Sequence, residues 1–387
     1  MRIGFDISQT GGAKAGCGYA ADCLIRGLEQ IDKENEYILY PTFGDFFWDP
    51  DHKKSVFQTP NPRFKRGLRH RYFEEMRIFW RNPPDDFEAQ LGSPDILHAN
   101  NFFCPGKLKN ARLVYTLYDL NFVDHPEWTT EANRIGCFTG VFNASLYADY
   151  IVSISEASKS HFLSTFPHYP EDRIAVIYLP SRFGDNKTVD AEKPESLRDV
   201  NSKEFWLNVG TIEPRKKQKG LLAAYARLKH HLGKTFPLVF AGGQGWLMDD
   251  FKESIEKLGL EQDVIITGYV SDDSLQWLYQ NCYALVYPSF FEGFGLPVLE
   301  AMTLGAPVIA SNSTSIPEIV GDSGILVDPY NEEDIFKGLL ELATSQGRYL
   351  ELKEKALARS KHFSWKSSIL ELLEVYGKMV KMPRLHA

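Results

Sequence analysis

Glu292 and Glu300 are separated by seven residues, in a segment that reads Phe291, Glu292, Gly293, Phe294, Gly295, Leu296, Pro297, Val298, Leu299, Glu300. A carboxylate at each end can accept hydrogen bonds from vicinal hydroxyls, which a ribose and a hexose both offer. Between them, Gly293 and Gly295 let the backbone approach a ligand closely, and Pro297 opens an apolar run of helical character over 298–304. Backbone N–H groups and the positive end of a helix dipole, both near Gly295 to Val298, form a site for a diphosphate. The layout suits a sugar phosphate. Two glutamates alone would more often mark a simple turn with an ordinary first-turn carboxylate, and it is the neighbours that reverse that preference.

Residues 284–288 form a short apolar strand before this loop, Gly305 stops the helix, and residues 307–310 form another strand. The loop therefore lies at the carboxyl edge of a parallel sheet, where open α/β folds bind ligands. Upstream, strand 205–209 runs into Gly210, Thr211, Ile212, Glu213, Pro214, Arg215, Lys216, Lys217. Cations at such a strand end, opposite a phosphate-binding helix N-terminus, can neutralise the charge that builds on a departing diphosphate, Arg as a planar fork and Lys as a compact charge.

On these residues, and on the whole stretch EGFGLPVLEAMTLGAPVIAS, the chain resembles the large retaining glycosyltransferase family with two facing Rossmann-like domains, the GT-B fold of family four, also called glycosyl transferases group 1. The resemblance extends over nearly the whole chain and is sharpest over 207–328. It implies that Arg215 and Lys216 assist departure of the nucleotide, that Glu292 positions the sugar and Glu300 the ribose, and that the stretch Gly293, Phe294, Gly295, Leu296 cradles the diphosphate. It also implies that Tyr269 and Val270, after Gly268, line the base pocket through their backbone. Lys217 departs from the pattern, which often has asparagine there. The relatives that begin with a Phe-Asp strand and carry Val-Gly-Thr-Ile-Glu-Pro-Arg-Lys include mannosyltransferases of bacterial surface polysaccharide assembly. GDP-mannose is thus the first expected donor and a UDP-sugar the second, with a glycan or lipid-linked saccharide as acceptor. The acceptor hydroxyl would attack from the leaving-group face and pass its proton to a phosphate oxygen, so no separate base is required.

The N-terminal half supplies the acceptor side of this scheme. Gly11, Gly12, Gly16 and Gly18 lie between the first strand and the first helix, and the run from Gly16 to Ala21 imitates a dinucleotide fingerprint. Eight residues, 8–15, separate it from the strand, whereas the fingerprint should follow at once. Gly16 and Gly18 are instead expected to approach the donor phosphate or acceptor. Tyr118 and Asp119 follow another strand, where the resemblance implies His-Asp beside the donor sugar. A phenol is neutral at pH 7 and a poor general base. Function survives this exchange if the position acts through its backbone carbonyl, and not if the imidazole is needed. His98 and Asn101 are the expected acceptor contacts, and Ser155 reads as a helix N-cap. Asp49, Pro50 and Asp51 read as a turn, and no metal site is expected.

The chain of 387 residues is too long for one ordinary core. Strands are expected at 2–7, 37–40, 96–98, 113–117 and 150–154, with helices at 19–30, 131–147 and 155–166. A polar stretch, 186–201, marks the boundary between a domain over 1–185 and one over 186–363. The second repeats the alternation, with strands at 205–209, 238–241, 264–266, 284–287, 308–310 and 325–327. Residues 363–380 form an amphipathic helix, and the resemblance implies that 364–387 cross back onto the first domain.

A net charge of −8 opposes general nucleic-acid binding. The five cysteines are scattered and expected to be reduced, and the sequence has neither a spanning apolar run nor a leader pattern, so a cytoplasmic protein is expected. One local exception to the acidity runs over 63–81, where Arg63, Lys65, Arg66, Arg69, Arg71, Arg77 and Arg81 alternate with aromatic residues. That mixture suits either the inner face of an anionic membrane or a solvated helix face packed by its aromatic side. Two other function classes fit parts of the pattern: a non-catalytic sugar-nucleotide-binding subunit, suggested by Tyr118, and an NAD-dependent oxidoreductase on similar domains.

Overall fold

The computed structural model describes every residue except 12–13, 15, 46–55, 185–190, 244–247 and 386–387. Gly12, the Asp49 to Asp51 turn and the first part of the polar stretch therefore lie outside the described residues. The chain divides into two compact units, Met1–Pro180 with Trp365–Ala387, and Ser181–Ser364.

Among the described residues of the first unit seven strands form one parallel sheet: β1 Arg2–Asp6, β2 Glu36–Tyr40, β3 Phe64–Arg66, β4 Ile96–Ala99, β5 Arg112–Leu117, β6 Tyr150–Ser153 and β7 Ile174–Val176. Their order is β3-β2-β1-β4-β5-β6-β7. The central strands are short apolar runs with both faces covered by helices, so β4 and β6 are buried at every position. β3 and β7 are not among the expected strands, and β3, Phe-Lys-Arg, offers only one apolar residue. The basic segment over 63–81 accordingly divides into β3 and the helix Phe73–Arg81, which buries Met76 and Trp80.

The helix Trp365–Met379 belongs to the first unit. Its Ile369, Leu372, Val375, Tyr376 and Met379 share a core with Ile3, Phe5, Leu24, Ile25 and Leu28. Gly27 permits the close approach, because a Cβ there would come within 2.5 Å of Ile369 Cγ1.

Among the described residues the second unit has six parallel strands: β8 Trp206–Val209, β9 Leu238–Ala241, β10 Val264–Gly268, β11 Ala284–Tyr287, β12 Val308–Ser311 and β13 Ile325–Val327. Their order, β10-β9-β8-β11-β12-β13, reverses direction between β8 and β11. Such a reversal parts the loops that leave the two strand ends and opens a ligand crevice at the carboxyl edge. The loops there are 210–217 and 288–295. All five cysteines are free thiols.

Candidate functional site

Pro214 starts a single 3-10 turn, Pro214–Lys216, that places two consecutive cations at the end of β8. Lys217 closes the turn at φ +55°, in the left-handed region that asparagine tolerates and lysine rarely adopts. Asparagine, the residue expected at this position, adopts this backbone more readily. Lys217 is held by Glu332 at 3.4 Å and lies over the Phe290 ring.

Opposite, at the end of β11, Glu292 meets both cations. Arg215 Nη1 donates to Glu292 Oε2 at 3.0 Å and to the Phe291 carbonyl at 2.6 Å, while Nη2 reaches Glu213. Lys216 Nζ donates to Glu292 Oε1 at 2.7 Å and to the Tyr287 hydroxyl at 2.5 Å. Burial on its own would raise the Glu292 carboxyl, but Arg215 and then Lys216 override it and hold the group down at about 2. Burial pushes the Lys216 ammonium downward, and Glu292 opposes that shift. The outcome is a carboxylate fixed in its charged state between two donors at the switch point.

The loop 288–295 is fastened from β12 by three consecutive hydroxyl residues. Ser313 donates to the Phe290 carbonyl, Thr314 Oγ1 accepts the Glu292 N–H, and Ser315 donates to the carbonyls of Glu292 and Phe294. Thr314 sits at φ +51°, which a β-branched residue adopts only under constraint. Sequence reasoning missed this triplet. The one available signal was a run of four polar residues, Asn312 to Ser315, directly after a buried strand.

Gly295 caps the helix Leu296–Thr303 at φ +110°, and a Cβ there would come 2.5 Å from Ile316 Cδ1. Gly295 and Leu296 are the cap and first residue of this helix, so their N–H groups have no intrahelical partner, and Pro297 in the first turn has no N–H to satisfy. Gly293 and Phe294 are buried beside Glu292. Glu300, in the same helix, is fully buried and accepts from Arg182 Nε at 2.5 Å, Arg182 Nη2 at 3.0 Å and the Tyr279 hydroxyl at 3.0 Å. Nothing in the sequence pointed to Arg182. At the end of β10, Gly268 turns at φ +71° and the Tyr269 ring stands 68% exposed, with Val270 half-buried behind it.

The first unit has a corresponding switch point between β1 and β4. Asp6 ends β1, and burial pushes its carboxyl up to about 7 against hydrogen bonds from Ser8 and Asn100. Tyr118 is buried, its hydroxyl donating to the carbonyls of Asn100 and Cys17, and its own carbonyl accepts from Ser158 Oγ at 2.7 Å. Asp119 accepts from the backbone and side chain of Asn121. Ser155 caps its helix as expected. Gly16 starts the helix Gly16–Ile31 on the surface, whereas Gly18 is buried against the Gln9 carbonyl.

His98 requires a correction. It is fully buried, with Nδ1 2.5 Å from the Tyr376 hydroxyl and Nε2 2.8 Å from Thr116, and burial lowers it to about 3. It is an internal structural group, not an acceptor contact. Asn101 is buried as well, bonded to Ser8 Oγ and to the Phe103 N–H.

Residues 189–359 match the family profile described as Glycosyl transferases group 1. The chain is 34% identical over 284 residues to O-antigen chain mannosyltransferase B of Escherichia coli, covering 73% of this chain and 74% of that one. It is 35% identical over 241 residues to the serotype-specific mannosyltransferase WbdA of Escherichia coli, spanning 60% of this chain and 29% of that longer protein. Among solved structures, Anabaena HepE in complex with UDP-glucose aligns with a TM-score of 0.71 at 17% identity, over 98% of this chain and 100% of HepE. WaaG, a glycosyltransferase of lipopolysaccharide biosynthesis, aligns with a TM-score of 0.67 at 15% identity, over 97% and 99% of the two chains.

Proposed function

We propose that this chain, which belongs to the glycosyl transferases group 1 family and has its GT-B fold, is a retaining hexosyltransferase of cell-surface polysaccharide synthesis. Its first expected donor is GDP-mannose, by the similarity to O-antigen mannosyltransferases. A UDP-sugar is the second, since HepE was solved with UDP-glucose. A glycan or lipid-linked saccharide would be the acceptor.

One observation carries the reading: Arg215, Lys216 and Glu292 converge within 3.0 Å at the switch point of the second unit, beside the N-terminus of the helix Leu296–Thr303. In this role the diphosphate lies against the N–H groups of Gly295 and Leu296. Arg215 and Lys216 then stabilise the negative charge that develops as the bond between the sugar anomeric carbon and the phosphate oxygen breaks. Of the three N–H donors on Lys216, two are committed to Tyr287 and Glu292, and the third is available to a phosphate oxygen. Glu292, held charged, accepts from sugar hydroxyls, Glu300 from the ribose, and Tyr269 and Val270 flank the base. The acceptor oxygen bonds to the anomeric carbon on the face that the phosphate leaves, and its proton passes to the departing diphosphate. Asp119 and the backbone of Tyr118 belong to the sugar side of this scheme, and Gly16 and Gly18 to the phosphate or acceptor side.

A non-catalytic subunit is the second reading, favoured by Tyr118 standing where a histidine is expected. The oxidoreductase alternative finds no support in the family to which the chain belongs. We extend the proposal to a peripheral membrane contact at a cytoplasmic face, supported by the exposed Arg69, Arg71, Tyr72 and Ile78. Part of the basic charge there is already matched, Lys65 by Glu36 and Arg77 by Glu74. Among the described residues no helix is long and apolar enough to cross a membrane.

The test is a melting-temperature panel with GDP, UDP, GDP-mannose, UDP-glucose, UDP-N-acetylglucosamine and NAD, repeated on Arg215→Ala and Glu300→Ala. One nucleotide diphosphate should stabilise the wild type and neither variant. Silence toward every sugar nucleotide would defeat the reading. Binding without sugar release from any donor, in the presence of a saccharide acceptor, would favour the non-catalytic subunit.

A further inference from the structure

Glu300 has no solvent-exposed surface, and a buried carboxylate must be neutralised or hydrogen-bonded at all times. Arg182, the second residue of the second unit, does this bidentately through Nε and Nη2, and Tyr279 adds a third donor. An ionised carboxylate has about four lone-pair positions. Three are occupied here, which leaves one. A ribose whose 2′ and 3′ hydroxyls both donate needs two, so it cannot bind Glu300 while Arg182 and Tyr279 both stay.

Arg182 is the partner able to yield. Tyr279 is locked inside the helix Asp272–Asn281 and buried. Arg182 sits above the carboxylate with part of its side chain exposed, and its Nη1 already donates to Asp272 Oδ1 at 2.9 Å. The Asp272 side chain is 54% exposed, so it can keep the guanidinium at the surface after Glu300 is released. Phe183 packs edge-on against Tyr279 with ring centroids 6.0 Å apart, and the guanidinium lies over the Phe183 ring. Phe183 is thereby held against Tyr279, and the Arg182 side chain is the part that has to swing.

From this geometry we infer that Arg182 is an internal competitor of the donor ribose: it occupies Glu300 in the nucleotide-free chain and passes to Asp272 when the ribose arrives. The inference rests on the reading of Glu300 as the ribose carboxylate. A competitor of this kind lowers the population of the binding-competent state and weakens apparent affinity by the same factor. The affinity for the ribose, and not that for the base or phosphates, is then set by the balance between Glu300 and Asp272.

The experiment is isothermal titration of the full chain with GDP and UDP, each beside its 2′,3′-dideoxy counterpart, for wild type, Arg182→Lys, Arg182→Ala, Asp272→Asn and Glu300→Gln. Lysine keeps a charge near Glu300 but loses the fork, so Arg182→Lys remains informative if Arg182→Ala proves too unstable to titrate. Competition predicts that Arg182→Lys binds the ribonucleotide several-fold more tightly and that Asp272→Asn binds it several-fold more weakly. The dideoxy affinities should stay unchanged in both. Weaker ribonucleotide binding in Arg182→Lys, or no change in either variant, would overturn the competition and leave Arg182 a simple support for Glu300. If instead Glu300→Gln left the ratio of ribo to dideoxy affinity unaltered, the ribose reading itself would fall and the competition with it.

Discussion

Two buried carboxylates, one in each unit, are driven in opposite directions by their surroundings. Glu292 faces two cations and is held near 2, below its ordinary 4.5. Asp6 is hydrogen-bonded by Ser8 and Asn100, and burial outweighs those bonds and lifts it from 3.8 to about 7. Through proton linkage these shifts act oppositely on stability. The depressed Glu292 contributes stability that is present above pH 4.5 and is lost as pH falls toward 2. Asp6, whose folded value is raised, contributes most below pH 3.8, and that contribution is lost as pH rises through 7. Glu292→Gln should therefore flatten the acid limb of a denaturant-stability profile and cost roughly 3 kcal/mol at pH 7, where it takes the bonded carboxylate from buried Lys216 and leaves Arg215 its pairing with Glu213. Asp6→Asn should gain stability at pH 8 and change little at pH 4. Equal effects of Asp6→Asn at both pH values would show that Asp6 is not the group titrating. At this scale the sequence was legible where residue type and strand-end position coincide, as at Arg215, Lys216 and Glu292. It was silent on Arg182 and on Ser313 to Ser315, whose importance comes only from what the fold sets beside them. It misdirected at His98, because a histidine ending a strand looks the same whether the next layer is solvent or Tyr376.

Between strand and helix, the loop 288–295 depends on one backbone conformation that only glycine adopts readily. Gly295→Ala meets two independent penalties, a left-handed φ and a methyl group 2.5 Å from Ile316 Cδ1. Strain of the first kind costs about 1 kcal/mol and overpacking of the second about 1–3 kcal/mol. The variant should melt several degrees lower. Its loss of nucleotide response should exceed that of Ser315→Ala, which removes only the bonds to the carbonyls of Glu292 and Phe294. A Gly295→Ala protein with unchanged melting temperature would show that the loop has another accessible path. Elements of this kind were readable from sequence because apolar runs bounded by Gly and Pro have few other conformations. Each of the six strands expected in the second unit overlaps an observed one. Phe64–Arg66 and Ile174–Val176 of the first unit were not among the expected strands, and Phe64–Arg66 carries a single apolar residue beside two cations.

Across the whole chain, the first unit is completed by residues at the far end of the sequence. The amphipathic pattern over 363–380 announces a helix with one apolar face, but local sequence cannot state which core that face fills. Ile369, Leu372, Val375, Tyr376 and Met379 fill the one around β1 and the helix Gly16–Ile31. Each such side chain contributes about 1.5–3 kcal/mol on burial, so together they are worth on the order of 10 kcal/mol, comparable with the stability of an entire domain. Polar ties add to this: His98 to Tyr376, Ser368 to the Tyr178 carbonyl, and Arg173 to the Pro383 carbonyl. A chain ending at Ser364 keeps every strand of both sheets, yet its first unit should not fold. Calorimetry of that truncated chain should show a single transition, still raised by the nucleotide diphosphate that stabilises the full chain, because Arg215, Lys216, Tyr269, Val270, Gly295, Leu296 and Glu300, the residues proposed to hold the base, ribose and diphosphate from the second unit, all lie within Ser181–Ser364. Tyr376→Phe, which leaves His98 Nδ1 without its partner inside the core, should cost about 1–3 kcal/mol and lower only the transition of the first unit. A truncated chain that kept two transitions would mean that the first sheet closes its core without the last helix, and the buried face of that helix would then be an addition to a finished unit rather than part of it.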